Sequence, residues 1–110
     1  MTQFEQVRMV RTVVDSVLRE QQDEEIRRAG YIHLYGVSEA SALLARRRGL
    51  SVAIAAVAGM LHDIYTYRTG LQALHAPSGA EDARVILRDL GLFSQEIGRA
   101  SCRERVSLNV

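Results

Sequence analysis

From Phe4 onward apolar side chains recur at intervals of three and four, at Phe4, Val7, Val10, Val13, Val14, Val17 and Leu18. This is the period of a helix with one buried face. The polar run from Gln21 to Arg28 either continues that helix as a solvated face or forms the connection after it, and Gly30 offers a break. A second periodic segment runs from about Tyr31 to Arg48. It carries Val37, Ala40, Leu43 and Leu44 on one stripe, with Gly49 placed as a C-terminal cap. Ser51 is suited to cap the amino end of a third segment, Val52 to about Asp63. The Ala, Val, Met and Leu residues of that segment leave almost no polar face, so it is predicted to be buried on most sides. Val and Ile there would also suit a strand, but Ala53, Ala55, Ala56 and Ala58 favour a helix.

Ile64 to Leu74 contains Gly70, two Tyr and two Thr without a clean period, and reads as a loop. A fourth helix is predicted from near Pro77 or Ser78 through Ala83, Ile86, Leu87 and Leu90 to the cap Gly91, with Glu81 and Asp82 in its first turn. Ser94, Gln95 and Glu96 look like the start of a fifth helix that does not develop. No strand, repeat or low-complexity segment is visible, so the expected fold class is all-α, a helical bundle.

Composition narrows the class without changing it. With 47% hydrophobic and 25% charged residues the chain has the balance of an ordinary globular protein, and 110 residues suffice for one domain. The longest apolar stretch, Val52 to Leu61, is half the length that crosses a bilayer. The amino terminus has no basic-then-apolar signal pattern, so no membrane partner is expected and a cytoplasmic location is the default. Every one of the 14 basic residues is Arg, which reflects coding bias more simply than a binding device. Net charge is +1 and the basic residues are interleaved with acids along the first helix, so no nucleic-acid footprint is visible. Arg46-Arg47-Arg48 closes a predicted helix, where cations complement the dipole and the last carbonyls.

Residues 97–110 stand apart. The string Ile97 to Val106 resembles a translated sequencing-library adapter, and it has no sustained helical or alternating period. The expected native part is therefore residues 1–96, with residues 97–110 a non-native tail. Without Arg99, Arg103, Arg105 and Glu104 the native part carries 11 basic and 12 acidic side chains, a net charge of −1. It also loses Cys102, the single cysteine, and with it any thiol chemistry.

The three histidines each lie near the end of a predicted helix. His62 and Asp63 are the sharpest feature, two polar side chains directly after Gly59-Met60-Leu61, and burying such a pair without partners is costly. A divalent cation removes that cost, because neutral imidazole nitrogen and carboxylate oxygen both ligate and the cation offsets the negative charge. Adjacent helical residues diverge by about 100°, so a shared ion must lie off the helix end and needs a further ligand from another element. His33, expected on the first turn of the second helix, is the candidate.

These residues resemble the HD superfamily, whose pattern is a His, then after a helix a His-Asp doublet, and much later a final Asp. The resemblance is carried by Tyr31-Ile32-His33-Leu34-Tyr35-Gly36-Val37, by Ala55 to Ile64 around His62-Asp63, and by His75-Ala76 with Gly79-Ala80, and covers about residues 4 to 96. It implies an HD-domain-like helical bundle, incomplete at the C-terminus, and a first metal held by His33, His62 and Asp63. Manganese, magnesium, iron, nickel and cobalt are the family's metals. By the same analogy His75 binds a second metal or contacts a substrate phosphate; an exposed loop histidine is an equal reading of it.

Two departures qualify the resemblance. The final Asp has no good counterpart, since Asp82 and Asp89 come too early, and Thr66 stands three residues after the doublet where a nucleotidase branch uses Glu. The expected activity of the intact parent is metal-dependent hydrolysis of a phosphate ester, of a nucleotide or similar small molecule. Asp63 would hold the ion and orient water, and this chain would be an inactive fragment. Tyr65, Tyr67 and Arg68 can contact substrate, although surface packing is the simpler reading. The alternative is a noncatalytic HD-like helical module. Apolar surface left exposed would favour a homodimer.

Overall fold

A computed structural model describes residues 1–68 and 86–93 of the chain. Four helices follow one another in it: α1 (Gln3–Glu20), α2 (Glu24–Arg48), α3 (Val52–Leu61) and α4 (Ile64–Arg68). A further helical turn spans residues 86–90. Among the described residues there is no strand, in agreement with the expected all-α class.

Local chemistry sets the helix ends. The Thr2 hydroxyl accepts from the Glu5 amide at 3.1 Å, and the Ser51 hydroxyl accepts from the Ile54 amide at 3.2 Å. Asp23 caps α2 by accepting from the Glu25 and Ile26 amides at 2.9 and 3.0 Å, and Glu24 and Glu25 complement the dipole in the first turn. At the other end Gly49 takes the left-handed conformation, φ 69°. The Leu50 amide then donates to the Ala45 carbonyl at 2.9 Å and the Gly49 amide to Arg46, the Schellman pattern. This reversal turns α2 and α3 into a hairpin whose two helices form the main packing contact of the fold.

The core gathers Val7, Val10, Val14 and Leu18 from α1, Leu34 from α2, Val57, Met60 and Leu61 from α3, and Ile64 from α4. Ile86, Leu87, Leu92 and Phe93 close it. Each fully buried Leu, Ile or Met contributes about 1.5–3 kcal/mol of transfer free energy.

Five expectations are corrected. The second helix begins at Glu24, seven residues before Tyr31, and Gly30 does not break it. Gly30 lies inside because α1 and α4 approach closely there: a Cβ on it would meet Leu18 Cδ2 at 2.6 Å and the Tyr67 ring at 2.9 Å. The buried face of α2 is Gly30, Leu34, Ser38 and Ala45, whereas Ala40, Leu43 and Leu44 of the expected stripe are exposed. Close helix packing selects small side chains here over large apolar ones. The third helix is buried at Val57, Gly59, Met60 and Leu61 but only half-buried from Ala53 to Ala56, with Val52 and Ala58 exposed. Ile64–Arg68 is a helix and not a loop, because fully buried Ile64 and half-buried Tyr67 fall on one side of a helical turn. Finally, Phe4 is 84% exposed and does not join the core stripe of α1. Of the fourth expected helix, residues 86–90 are helical and end at Gly91, φ 70°. Its start, the fifth helix and the tail at 97–110 with Cys102 lie outside the described residues.

Candidate metal centre

The site stands where α3 ends. Leu61 is the last residue of α3, and His62 and Asp63 occupy the turn before α4, where the Thr66 amide donates to the Asp63 carbonyl at 3.0 Å. This turn resolves the divergence of adjacent helical side chains, because the doublet sits off the helix end. His33 comes from α2, in its third turn and not its first, since the helix begins at Glu24.

His33 Nε2 lies 3.1 Å and His62 Nε2 3.0 Å from Asp63 Oδ2. The two imidazole rings are 5.0 Å apart between centroids and tilted by 57°. One ligand atom from each of the three residues falls within 4.8 Å of the others. Side-chain exposures of 44% for His33, 36% for His62 and 42% for Asp63 leave the cluster accessible to solvent.

The donor set can be tested for a cation. His62 Nδ1 faces the Gly59 carbonyl at 2.7 Å, so that nitrogen carries the proton and donates. In the neutral ring Nε2 is then an acceptor, and it faces a carboxylate oxygen. Two acceptors at that distance need a proton or a cation between them. A divalent ion satisfies both imidazoles and the carboxylate together, and the spacing suits one: ligands at right angles with bonds of about 2.1 Å lie about 3 Å apart. The residues present therefore fit a divalent metal.

Tyr67, expected to pack or to contact substrate, packs: its ring rests on Gly30 and its carbonyl accepts from Gln21 Nε2 at 3.1 Å. Burial, and then the Asp63 carboxylate, pushes its hydroxyl above the ordinary tyrosine value. His75 and the side chains of Tyr65 and Arg68 lie outside the described residues. Asp89 is exposed and does not join the cluster. Sequence reasoning missed Gly59 and Ser38, which pack beside the site. The available signal was the pair of small residues eight apart on one face of α2, Gly30 and Ser38, flanking Leu34.

A family model described as the HD domain matches residues 30–108, and the chain belongs to that family. HD domains form a superfamily of metal-dependent phosphohydrolases and bind divalent metals. The matched span contains His33, His62 and Asp63, and it runs on through residues 97–108, where the adapter-like string lies. No curated protein and no solved structure matches the chain. No helix among the described residues is long and apolar enough to cross a membrane.

Proposed function

We propose that this chain carries the metal-binding half-site of a phosphohydrolase that cleaves a phosphate ester, of a nucleotide or a similar small molecule. The supporting observation is the convergence of His33 Nε2 and His62 Nε2 on Asp63 Oδ2 at the open end of the α2–α3 hairpin. His33, His62 and Asp63 would hold the ion, which is manganese, magnesium, iron, nickel or cobalt. When bound, a divalent metal supplies Lewis acidity toward a phosphoryl oxygen and makes its water a stronger acid. The Gly59 carbonyl keeps the His62 ring turned so that Nε2 faces the site. Asp63 approaches both imidazoles through Oδ2, and its other oxygen is suited to accept a hydrogen bond from the attacking water and so orient it. His75 would add a second metal ligand or a phosphate contact.

A noncatalytic HD-like module is the second reading. It is favoured by the ligand count, because among the described residues three protein groups converge and no second carboxylate joins them as a fourth ligand. In either case the exposed Leu43, Leu44, Leu50 and Val52 around the α2–α3 reversal support pairing with a second copy.

Elemental analysis of the purified chain tests the first step. Stoichiometric metal that disappears in His62→Ala supports the site. Turnover on a panel of phosphomonoesters and nucleotides then separates the readings: metal binding with no hydrolysis by the longest expressible form would leave the module.

A further inference from the structure

Helices α2 and α3 approach each other closely beside the metal centre, at Gly59 and Ser38. A Cβ built on Gly59 would stand 2.6 Å from Ser38 Cα, 2.8 Å from Ser38 N and 2.9 Å from the Val37 carbonyl oxygen. All three are backbone atoms, so no rotamer change relieves the clash. Carbon atoms in ordinary contact sit at about 3.5–4.0 Å, and a methyl group here would therefore drive the helices apart by about 1 Å. Ser38 adds a bond across the same crossing, its hydroxyl donating to the Ala56 carbonyl at 2.6 Å.

The position of this crossing matters. Ser38 follows His33 by five residues, about 7.5 Å along α2, and Gly59 precedes His62 by three, about 4.5 Å along α3. The carbonyl of the same Gly59 accepts from His62 Nδ1. The fold needs some contact between α2 and α3, but it does not need a backbone approach this close at this level, nor a peptide there that also orients a ligand.

We propose that Gly59 and Ser38 are positioning residues for the metal centre, resting on the reading that His33, His62 and Asp63 hold a divalent cation. Their contact sets the spacing between the imidazole on α2 and the doublet after α3, and the Gly59 carbonyl selects the His62 nitrogen that faces the ion. Ligand spacings of 3.0 and 3.1 Å do not survive a shift of about 1 Å between the helices. Partners that orient metal ligands typically change affinity by about 10- to 100-fold.

The experiment is Mn²⁺ titration of the full chain, read by the paramagnetic resonance of free Mn²⁺, beside thermal melts and the ring resonances of His33 and His62 in metal-free protein. Gly59→Ala is expected to keep helical circular dichroism, to bind Mn²⁺ at least about tenfold more weakly, and to shift both sets of ring resonances. Ser38→Ala, which introduces no clash, should bind several-fold more weakly. Val10→Ala, a core variant away from the crossing, should lose melting temperature while keeping its Mn²⁺ affinity and ring resonances. A folded Gly59→Ala that binds as tightly as the wild type overturns the proposal. If that variant does not fold, wild-type affinity in Ser38→Ala overturns it instead. Absence of Mn²⁺ binding by the wild-type chain sinks the metal reading separately, and unmoved ring resonances in Gly59→Ala then sink the spacing claim as well.

Discussion

The Tyr35 hydroxyl donates to Asp15 Oδ1 at 2.5 Å and so joins α1 to the helix that carries His33. The Tyr35 hydroxyl oxygen also lies 3.4 Å from the Arg11 carbonyl, one turn earlier on α1. Tyr35 and Tyr31 stack with ring centroids 6.3 Å apart, which holds the phenol on this side of α2. Removing the hydroxyl alone, in Tyr35→Phe, should cost about 1–2 kcal/mol of unfolding free energy, the lower part of the range for a bond to a charged acceptor because the pair is only partly buried. Urea unfolding monitored by circular dichroism measures it, and an unchanged midpoint would mean that water replaces the carboxylate without loss.

Alkali should act through the same group. Burial, then the hydrogen bond to Asp15 and its charge, raise the Tyr35 pKa above its ordinary value, with Arg11 opposing and Tyr31 adding slightly. A phenol whose pKa is higher folded than unfolded contributes its full stability while both forms are protonated. That contribution falls as pH rises past about 10, where the unfolded chain ionises first. Stability should therefore decline above that pH, less steeply in Tyr35→Phe. Tyr67, raised in the same direction, leaves part of the slope in that variant. Melting temperatures from about pH 8 to 11 give the comparison.

Leu34 follows His33 directly and is fully buried in the core. Leu34→Ala should cost about 3 kcal/mol through lost burial and the cavity left behind. A loss under about 1 kcal/mol, by chemical denaturation, would show that the neighbouring side chains collapse into the space.

Gly30 sets two effects against each other. Alanine inside α2 gains about 0.5–1 kcal/mol of helix stability, while the new methyl group pushes on Leu18 Cδ2 and the Tyr67 ring. Overpacking of this kind costs about 1–3 kcal/mol, so Gly30→Ala should be destabilised by about 1 kcal/mol. A variant more stable than the wild type would mean that the Tyr67 ring swings away freely.

Metal removal provides a thermodynamic check. A ligand at about 100 times its dissociation constant raises stability by about 2.7 kcal/mol. Saturating Mn²⁺ should raise the melting temperature of the wild type, chelator should reverse the rise, and neither should affect His62→Ala. Equal shifts in both proteins would place the ion elsewhere.

Particular residues show why some of this was legible in the sequence. The spacing of Val7, Val10, Val14 and Leu18 identified the buried face of α1, since large apolar side chains fill it. Gly49 and Ser51 marked the reversal through conformational and capping preferences that act locally. The grouping of His33 with His62 and Asp63 followed from the cost of leaving polar groups without partners and from resemblance to HD domains. The face of α2 was not legible, because hydrophobic periodicity weighs side-chain bulk, whereas Gly30 and Ser38 face inward for lacking it. The start of α2 was readable in principle from Asp23-Glu24-Glu25, a capping residue followed by first-turn acids, but Gly30 outweighed it. The turn at α4 depends on Ile64 and Tyr67 packing against distant residues, which no local pattern encodes.

The Schellman reversal at Gly49 has a bearing on how the protein is made. His33 and Asp63 are separated by only 30 residues, and one helical hairpin brings them together. Ribosomes add roughly 5–20 residues per second, so these two residues are added within a few seconds of each other. A cation held as proposed would tie together two helices made one after the other, so metal supply would bear on the yield of folded protein as well as on its chemistry.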